Sequence, residues 1–352
     1  MVRTGLDSLI ANGGEMLRGA RVGLITNMSS ITKDGTPGYI ALSAQGVNIT
    51  ALFAPEHGLS ASLPEGEQLR VRRDDDIGAA VFSLYGSVFE PSPDMLDEID
   101  IMVFDMQDVG ARFYTYVTTM LYSMYACARE GKPFIVLDRP NPIGGLAVEG
   151  TMLEQGFKSI VGEFSSPIRY GLTIGEAAAL ARAECVVDLD LRVETLDCWK
   201  RTMWFDETGL TWTAPSPNLF DIDAVLAYPG MCLLEGTNIS EGRGTDTPFL
   251  AAGAPWLDVS ELADKLRCNK LEGVSFEPIE FVPTRSKYAG TPCSGVRLVI
   301  TDRNVFKPVL TAVAVIAAAL DQNPDSFEFI PSKTGGICHF DLLAGTDKLR
   351  RA

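Results

Sequence analysis

Phe104-Asp105-Met106-Gln107-Asp108-Val109-Gly110-Ala111-Arg112-Phe113-Tyr114-Thr115-Tyr116 is the stretch that decides how this chain is read. The apolar run before it, Ile99 to Phe104, is broken only by Asp100 and reads as a buried strand. It ends in two acids, an amide, a glycine, an arginine and two tyrosines. Packing alone gives a strand no reason to end that way. In an open α/β sheet, ligands sit in the crevice at the carboxyl ends of the strands. The burst is therefore a candidate site, with carboxylates for chemistry and Arg112 for an anion.

Working outward, the same pattern recurs. Arg21 to Thr26 reads as a strand ending in Asn27, and Val47 to Phe53 as one ending in Pro55-Glu56-His57-Gly58. Ala79 to Tyr85, Asp100 to Asp105 and Pro133 to Leu137 follow, the last ending in Asp138-Arg139-Pro140-Asn141-Pro142. Tyr114 to Arg129 has a helical pattern. Thr173 to Glu184 is a helix with Thr173 as N-cap and Glu176 three residues on, a capping-box pattern. Asp190 to Leu196 is a further strand. Near-continuous apolar strands joined by helices predict an α/β fold with a mostly parallel sheet covered on both faces.

Pro215-Ser216-Pro217-Asn218 marks a boundary, giving domains 1–215 and 216–352. Beyond it, Trp256 to Arg267 and Lys307 to Gln322 read as helices, and Val274 to Val282 and Val296 to Thr301 as strands. The chain has 352 residues, room for about two domains of ordinary size.

The formal charge of −16 comes from 46 acids against 30 bases, with no Lys/Arg-rich run. That excludes a nucleic-acid partner, which needs a basic footprint. The longest apolar run, Val309 to Leu320, is too short to span a bilayer, so no membrane partner is expected. No signal-peptide pattern opens the sequence. The 7 cysteines are odd in number and without a CxxC pair, and they read as buried hydrophobes of a reducing, cytoplasmic compartment. With His57 and His339 as the only histidines, no metal centre is expected.

Each chemical candidate has a plainer alternative. Glu56 follows a strand directly and can serve as general acid or base if burial raises its pKa; otherwise it is a loop acid with His57 as its orienter. Asp105, Gln107 and Asp108 can bind sugar hydroxyls, or cap the following helix. Arg112 can pair with a carboxylate ligand, or form a salt bridge with Asp105 or Asp108. Asp138 to Pro142 is a rigid turn whose Asn141 and Arg139 can face a ligand. In Gly236 to Thr245, three glycines allow close backbone approach. Glu235 and Glu241 are carboxylates there, with Asn238, Ser240, Arg243 and Thr245 as polar contacts. No Walker A, GxGxxG or GxSxG pattern occurs, so neither a nucleotide cofactor nor a hydrolase triad is expected. Acids, amides, tyrosines and arginines in both halves suit carbohydrate chemistry, which usually needs two carboxyl groups.

Taken together, VGLITN (22–27), LFAPEHG (52–58), SLYG (83–86), VFDMQDVGARFYTY (103–116), VLDRPNPIGG (136–145), RYGLTIGE (169–176), SPN (216–218), YPGMCLLEGTNISEGRGTDTPF (228–249) and GAPW (253–256) resemble the exo-β-N-acetylmuramidase family. This NamZ-like family was long known as a domain of unknown function, DUF1343. The likeness runs along nearly the whole chain.

The resemblance implies a Rossmann-like catalytic domain and a smaller C-terminal α/β domain, with the active site in the cleft between them. It implies release of N-acetylmuramic acid from the non-reducing end of peptidoglycan fragments, without cofactor or metal. Small muramyl saccharides or muropeptides are the implied substrates, in cell wall recycling. Glu56 would be the leading catalytic carboxylate. Glu241 is the first choice for a second group, with Asp108 and Tyr114 as rivals. His57, Asp105, Gln107, Tyr116, Arg139, Asn141, Asn218, Glu235 and Asn238 would contact sugar, and Arg112 or Arg243 the lactyl carboxylate of muramic acid. Two departures stand out: Tyr170 replaces a histidine common in relatives, and the C-terminus stops short of theirs, so the second domain is expected to lack its last elements. A non-hydrolytic sugar or sugar-phosphate binding protein on the same scaffold is the alternative.

Overall fold

The structure, a computed structural model, describes residues 1–62, 72–186, 188–332 and 336–352. The chain forms two compact units. The first comprises Met1–Gly110, Tyr114–Ala147 and Gly171–Phe220, and the second Ala111–Phe113, Val148–Tyr170 and Asp221–Ala352. A single cut after residue 215 does not describe this division, because two segments from the first half of the sequence belong to the second unit.

The first unit is built on strands β1 (Arg21–Thr26), β2 (Asn48–Ala54), β3 (Arg72–Arg73), β4 (Ala80–Ser83), β5 (Ile101–Asp105), β6 (Phe134–Leu137) and β7 (Leu191–Glu194), in the order β3-β4-β2-β1-β5-β6-β7. All neighbours pair in parallel except the edge pair β3 and β4. The mostly parallel α/β sheet expected from the apolar runs is therefore present. Residues 101–105 of β5 and 134–137 of β6 are buried throughout, as helices on both faces require. Leu6, Leu9, Val22, Leu24, Leu52, Val103 and Leu137 lie in one buried cluster.

This order places a switch point beside β1. The chain runs from β1 outward to β2 and β4, then returns to the other flank of β1 with β5. Thr26 pairs with Asp105 at the carboxyl ends of the two strands. Such a point is where open α/β sheets open a crevice for ligands. The helix Thr115–Arg129 follows β5, and the helix Ile174–Cys185 carries the expected capping box of Thr173 and Glu176.

The second unit holds a three-stranded antiparallel sheet, β8 (Ala251–Ala254), β9 (Val274–Phe281) and β10 (Cys293–Ile300), ordered β8-β10-β9. The helices Val259–Cys268, Ile222–Met231 and Pro308–Gln322 complete it. The last two approach so closely at Gly230 that any Cβ there would run into the Pro308 carbonyl. Among the described residues, no helix is long and apolar enough to cross a membrane.

Candidate functional site

In the first unit, the polar segments that end β1, β2, β5 and β6 gather at the carboxyl edge of the sheet. Glu56 follows β2, and its residue is 9% exposed, buried yet not sealed. Among the described residues, its carboxyl is held by one hydrogen bond, 2.9 Å from the Thr115 hydroxyl to Oε2. Thr115 is the first residue of its helix, so the chain that leaves β5 returns a hydroxyl to the end of β2. His57 is buried at φ 70°, an uncommon conformation for a non-glycine residue, and turns the chain just after the carboxylate.

Tyr116 joins this site to β1. Its hydroxyl donates to the Pro215 carbonyl at 2.5 Å and accepts from Asn27 Nδ2 at 2.6 Å. It lies 3.4 Å from the Glu56 carbonyl. Burial pushes this phenol well above its ordinary pKa, so it stays protonated. The Tyr114 ring stacks at a tilt against it, 4.6 Å between centroids. From Asn27 the chain of bonds continues: Ser29 Oγ donates to Asn27 Oδ1 at 2.6 Å, and Gln107 N donates to Ser29 Oγ at 3.3 Å.

The remaining candidates at this edge are held by internal bonds. Gln107 Nε2 donates to the Asp108 and Pro140 carbonyls, and Asp108 Oδ2 accepts from Gly110 N at 2.8 Å. Asn141 bridges Leu172 O and Ile143 N. Gly110 sits at φ 78°, and a Cβ there would lie 2.6 Å from Asn141 Oδ1, so glycine is required on both counts. Asp105 and Arg139 form an ion pair at 2.6 Å with side-chain exposures of 0% and 4%. Ser30 also donates to Asp105. Asp105 and Arg139, both expected as sugar contacts, are thus paired with each other. Asn218 is buried in this unit.

Arg112 belongs to the second unit. Its guanidinium donates to Thr151 O at 2.7 Å, Ser166 O at 2.6 Å and Leu343 O at 2.9 Å, and the residue is 1% exposed. Burial pulls its pKa down to about 10. Neither the expected salt bridge with Asp105 or Asp108 nor an open anion site is found there; the residue ties three backbone segments together. Tyr170, the departure from histidine, is buried against the Phe164 ring.

The second polar centre lies on the segment 234–249 of this unit. Arg243 Nη2 donates to Glu235 Oε1 at 2.5 Å, and its Nε lies 3.3 Å from Glu241 Oε1. Its guanidinium also covers the Phe249 ring at 4.9 Å. Lys287 Nζ reaches Glu241 Oε2 at 3.0 Å. Burial works to raise the Glu235 pKa, but Arg243 overrides it, and the carboxyl sits below its ordinary value. Asn238 is bonded to Ser326 O and Glu328 N, a bridge in the chain path. Next to this cluster, Gly244, Thr245, Asp246, Phe281, Val282, Thr284 and Arg285 wall an open groove of about 660 Å³.

Of the sequence candidates, Glu56 and Tyr116 lie together in the first unit and Glu235, Glu241 and Arg243 in the second; Thr115, Asn27 as a side-chain partner, and Lys287 were not among those candidates. Thr115 lay inside the quoted motif and was hidden by its helix-start position. Lys287 lies in a loop without any pattern to mark it. Among the described residues, no group of His, Cys, Asp or Glu is arranged to hold a metal ion.

Comparison with known proteins bears on what these two centres do. Residues 22–223 match the family described as "Exo-beta-N-acetylmuramidase NamZ, N-terminal", and residues 226–352 its C-terminal counterpart. The peptidoglycan beta-N-acetylmuramidase NamZ of Bacillus subtilis (strain 168) is 44% identical over 350 residues, covering 99% of this chain and 83% of that protein. A crystal structure of a DUF1343 family protein from Bacteroides fragilis superposes with a TM-score of 0.90 at 35% identity, covering 99% of this chain and 90% of that one. A second DUF1343 family protein of the same organism gives 0.79 at 28% identity, covering 100% and 90%.

Proposed function

The chain belongs to the exo-β-N-acetylmuramidase NamZ family, and on that premise we propose how its residues carry the reaction. The protein is a glycoside hydrolase that releases N-acetylmuramic acid from the non-reducing end of peptidoglycan fragments. In our reading Glu56 is the carboxyl that exchanges a proton with the glycosidic oxygen or the attacking water. The observation that carries this is its place: a buried carboxyl at a strand's carboxyl end, oriented by the Thr115 hydroxyl. A carboxyl at a ligand edge held in a fixed orientation is what proton transfer in a glycosidase needs.

Tyr114 is our choice for the second group, ahead of Asp108. It packs against Tyr116, whose hydroxyl is 3.4 Å from the Glu56 carbonyl, whereas Asp108 is bonded to Gly110 N. We assign Glu241, with Glu235, to anchoring Arg243 rather than to proton transfer. Arg243 is then the arginine that receives the lactyl carboxylate of muramic acid, and Arg112 is a strut. His57, Gln107, Asn141, Asn218 and Asn238 complete the proposed sugar contacts. The cytoplasm, where 7 free thiols stay reduced, is the setting we propose.

Hydrolysis of a chromogenic β-N-acetylmuramide, beside the matching glucosaminide, tests the assignment with wild type and Glu56→Gln. Muramide-selective turnover that the substitution lowers by about 100-fold or more, with unchanged melting, is the expected result. Retained turnover would remove Glu56 from the mechanism.

A further inference from the structure

The loop 284–288 closes over the Gly-rich segment of the second unit by bonds that reach along its length. Thr284 N and Oγ1 both donate to Gly244 O, at 2.9 and 2.7 Å. Tyr288 Oη donates to Asn238 O at 2.6 Å. Between them Lys287 Nζ donates to Leu234 O at 2.7 Å, Ile239 O at 2.8 Å and Glu241 Oε2 at 3.0 Å. Those three bonds match the three donors of an ammonium group. Ser286 and Tyr288, on either side of Lys287, lie at φ 67° and 57°, and Phe249, under the Arg243 guanidinium, at φ 62°. Non-glycine residues hold this conformation only where surrounding contacts impose it, and such positions cluster at functional sites.

Charge gives the loop its meaning. Two carboxylates, Glu235 and Glu241, face two cations, Arg243 and Lys287. The Glu241 side chain is 2% exposed. Arg243 Nε already lies 3.3 Å from Glu241 Oε1; deprived of Lys287, this carboxylate would draw its whole countercharge from Arg243, and carboxylates take arginine in a bidentate fork. An arginine forked onto one carboxylate has lost that geometry for another.

We propose that Lys287 is a positioning residue that sets substrate preference: by neutralising Glu241 it keeps the Arg243 guanidinium aimed for the carboxylate of the sugar. This rests on the reading that Arg243 receives that carboxylate. An open groove, walled in part by Gly244 and Thr284, lies beside this segment.

Lys287→Gln is the informative change, because an amide keeps two donors on a side chain of similar shape while the charge is gone. Lys287→Arg keeps the charge. KM and kcat are measured on the chromogenic muramide and glucosaminide for both variants and for Arg243→Ala, with melting followed in parallel. Lys287→Gln is expected to raise the muramide KM about tenfold, with kcat within about twofold and the glucosaminide KM unchanged. Lys287→Arg is expected to restore most of the preference, and it keeps the test alive if the glutamine variant does not fold. A lysine that is only a strut would lower stability and shift both substrates alike, which overturns the proposal. Loss of preference in Arg243→Ala but not in Lys287→Gln overturns it for Lys287 alone. Unchanged preference in Arg243→Ala overturns the Arg243 reading beneath it.

Discussion

The Thr115 hydroxyl donates a 2.9 Å hydrogen bond to Glu56 Oε2, linking two motifs 59 residues apart in sequence. It is the one contact that fixes which way the carboxyl points among the described residues. Thr115→Val keeps shape and removes the donor. A hydrogen bond to a charged group contributes about 1.5–3 kcal/mol. Steady-state kinetics on the muramide are expected to show kcat/KM falling by about 10- to 100-fold, while Thr115→Ser stays within a few-fold of wild type. Equal activity in Thr115→Val would mean that the carboxyl is oriented by something else.

Arg112 and Arg243 are separated by their surroundings. Arg112→Met leaves the Thr151 and Leu343 carbonyls without their donor, while the Ser166 carbonyl keeps its bond from Leu153 N. Each unsatisfied buried group costs about 1–3 kcal/mol, so a loss of roughly 2 kcal/mol or more is expected in urea unfolding. The ratio of muramide to glucosaminide turnover should not move in whatever fraction remains folded. A selective loss on the muramide would return Arg112 to the binding site.

The buried Asp105–Arg139 pair makes a different demand. Removing one partner strands the other charge where water does not reach it, at a typical cost of about 3–5 kcal/mol. Arg139→Met and Asp105→Ala are each expected to destabilise by that amount. The double variant Asp105→Ala/Arg139→Met should recover much of it, because neither charge is left. Denaturant midpoints of the four proteins form the cycle; additive losses would show that the pair is not coupled.

Asp138 gives the fold a pH signature. Burial pushes its carboxyl from an ordinary 3.8 up to about 6, against the pull of hydrogen bonds from Gly175 N, Thr173 Oγ1 and Arg139 N. An acid with a higher pKa folded than unfolded binds more protons in the native state between the two values. Its contribution is therefore fully present below about 4 and lost as pH rises through about 6. A shift of roughly 2 units corresponds to about 3 kcal/mol. The difference in urea stability between wild type and Asp138→Asn should change by about that much across this window and be flat above it. A difference independent of pH would show that Asp138 does not titrate there.

The parts of this molecule that were legible in sequence share a physical cause. A parallel strand covered on both faces is apolar along most of its length, so β1, β2, β5 and β6 announce themselves as near-continuous runs. Their abrupt polar ends then mark the carboxyl edge of the sheet, which is how Glu56 and Asn141 came into view. β8 escaped notice because Ala-Ala-Gly-Ala carries no β-branched or aromatic signal. β3 is only two residues long. Side-chain partnership is another matter. An arginine shows its charge in sequence, but whether it meets a ligand or three carbonyls depends on Leu343, 231 residues from Arg112. Lys287 has the same character: its partners Leu234, Ile239 and Glu241 lie 46–53 residues earlier, behind two strands and a helix.

The interleaving of the two units sets a timetable for synthesis. The first unit has its last residue once Phe220 is made. Ala111–Phe113 and Val148–Tyr170, already out of the ribosome by then, belong to a unit whose body does not yet exist. At about 5–20 residues per second, Arg112 waits roughly 10 to 45 seconds for the Leu343 carbonyl. Through that interval a buried guanidinium and an apolar stretch with Leu153, Phe164 and Ile168 stand without their final partners. The nascent chain thus has its vulnerable window between the synthesis of Arg112 and that of Leu343, where a holdase would have the most to protect.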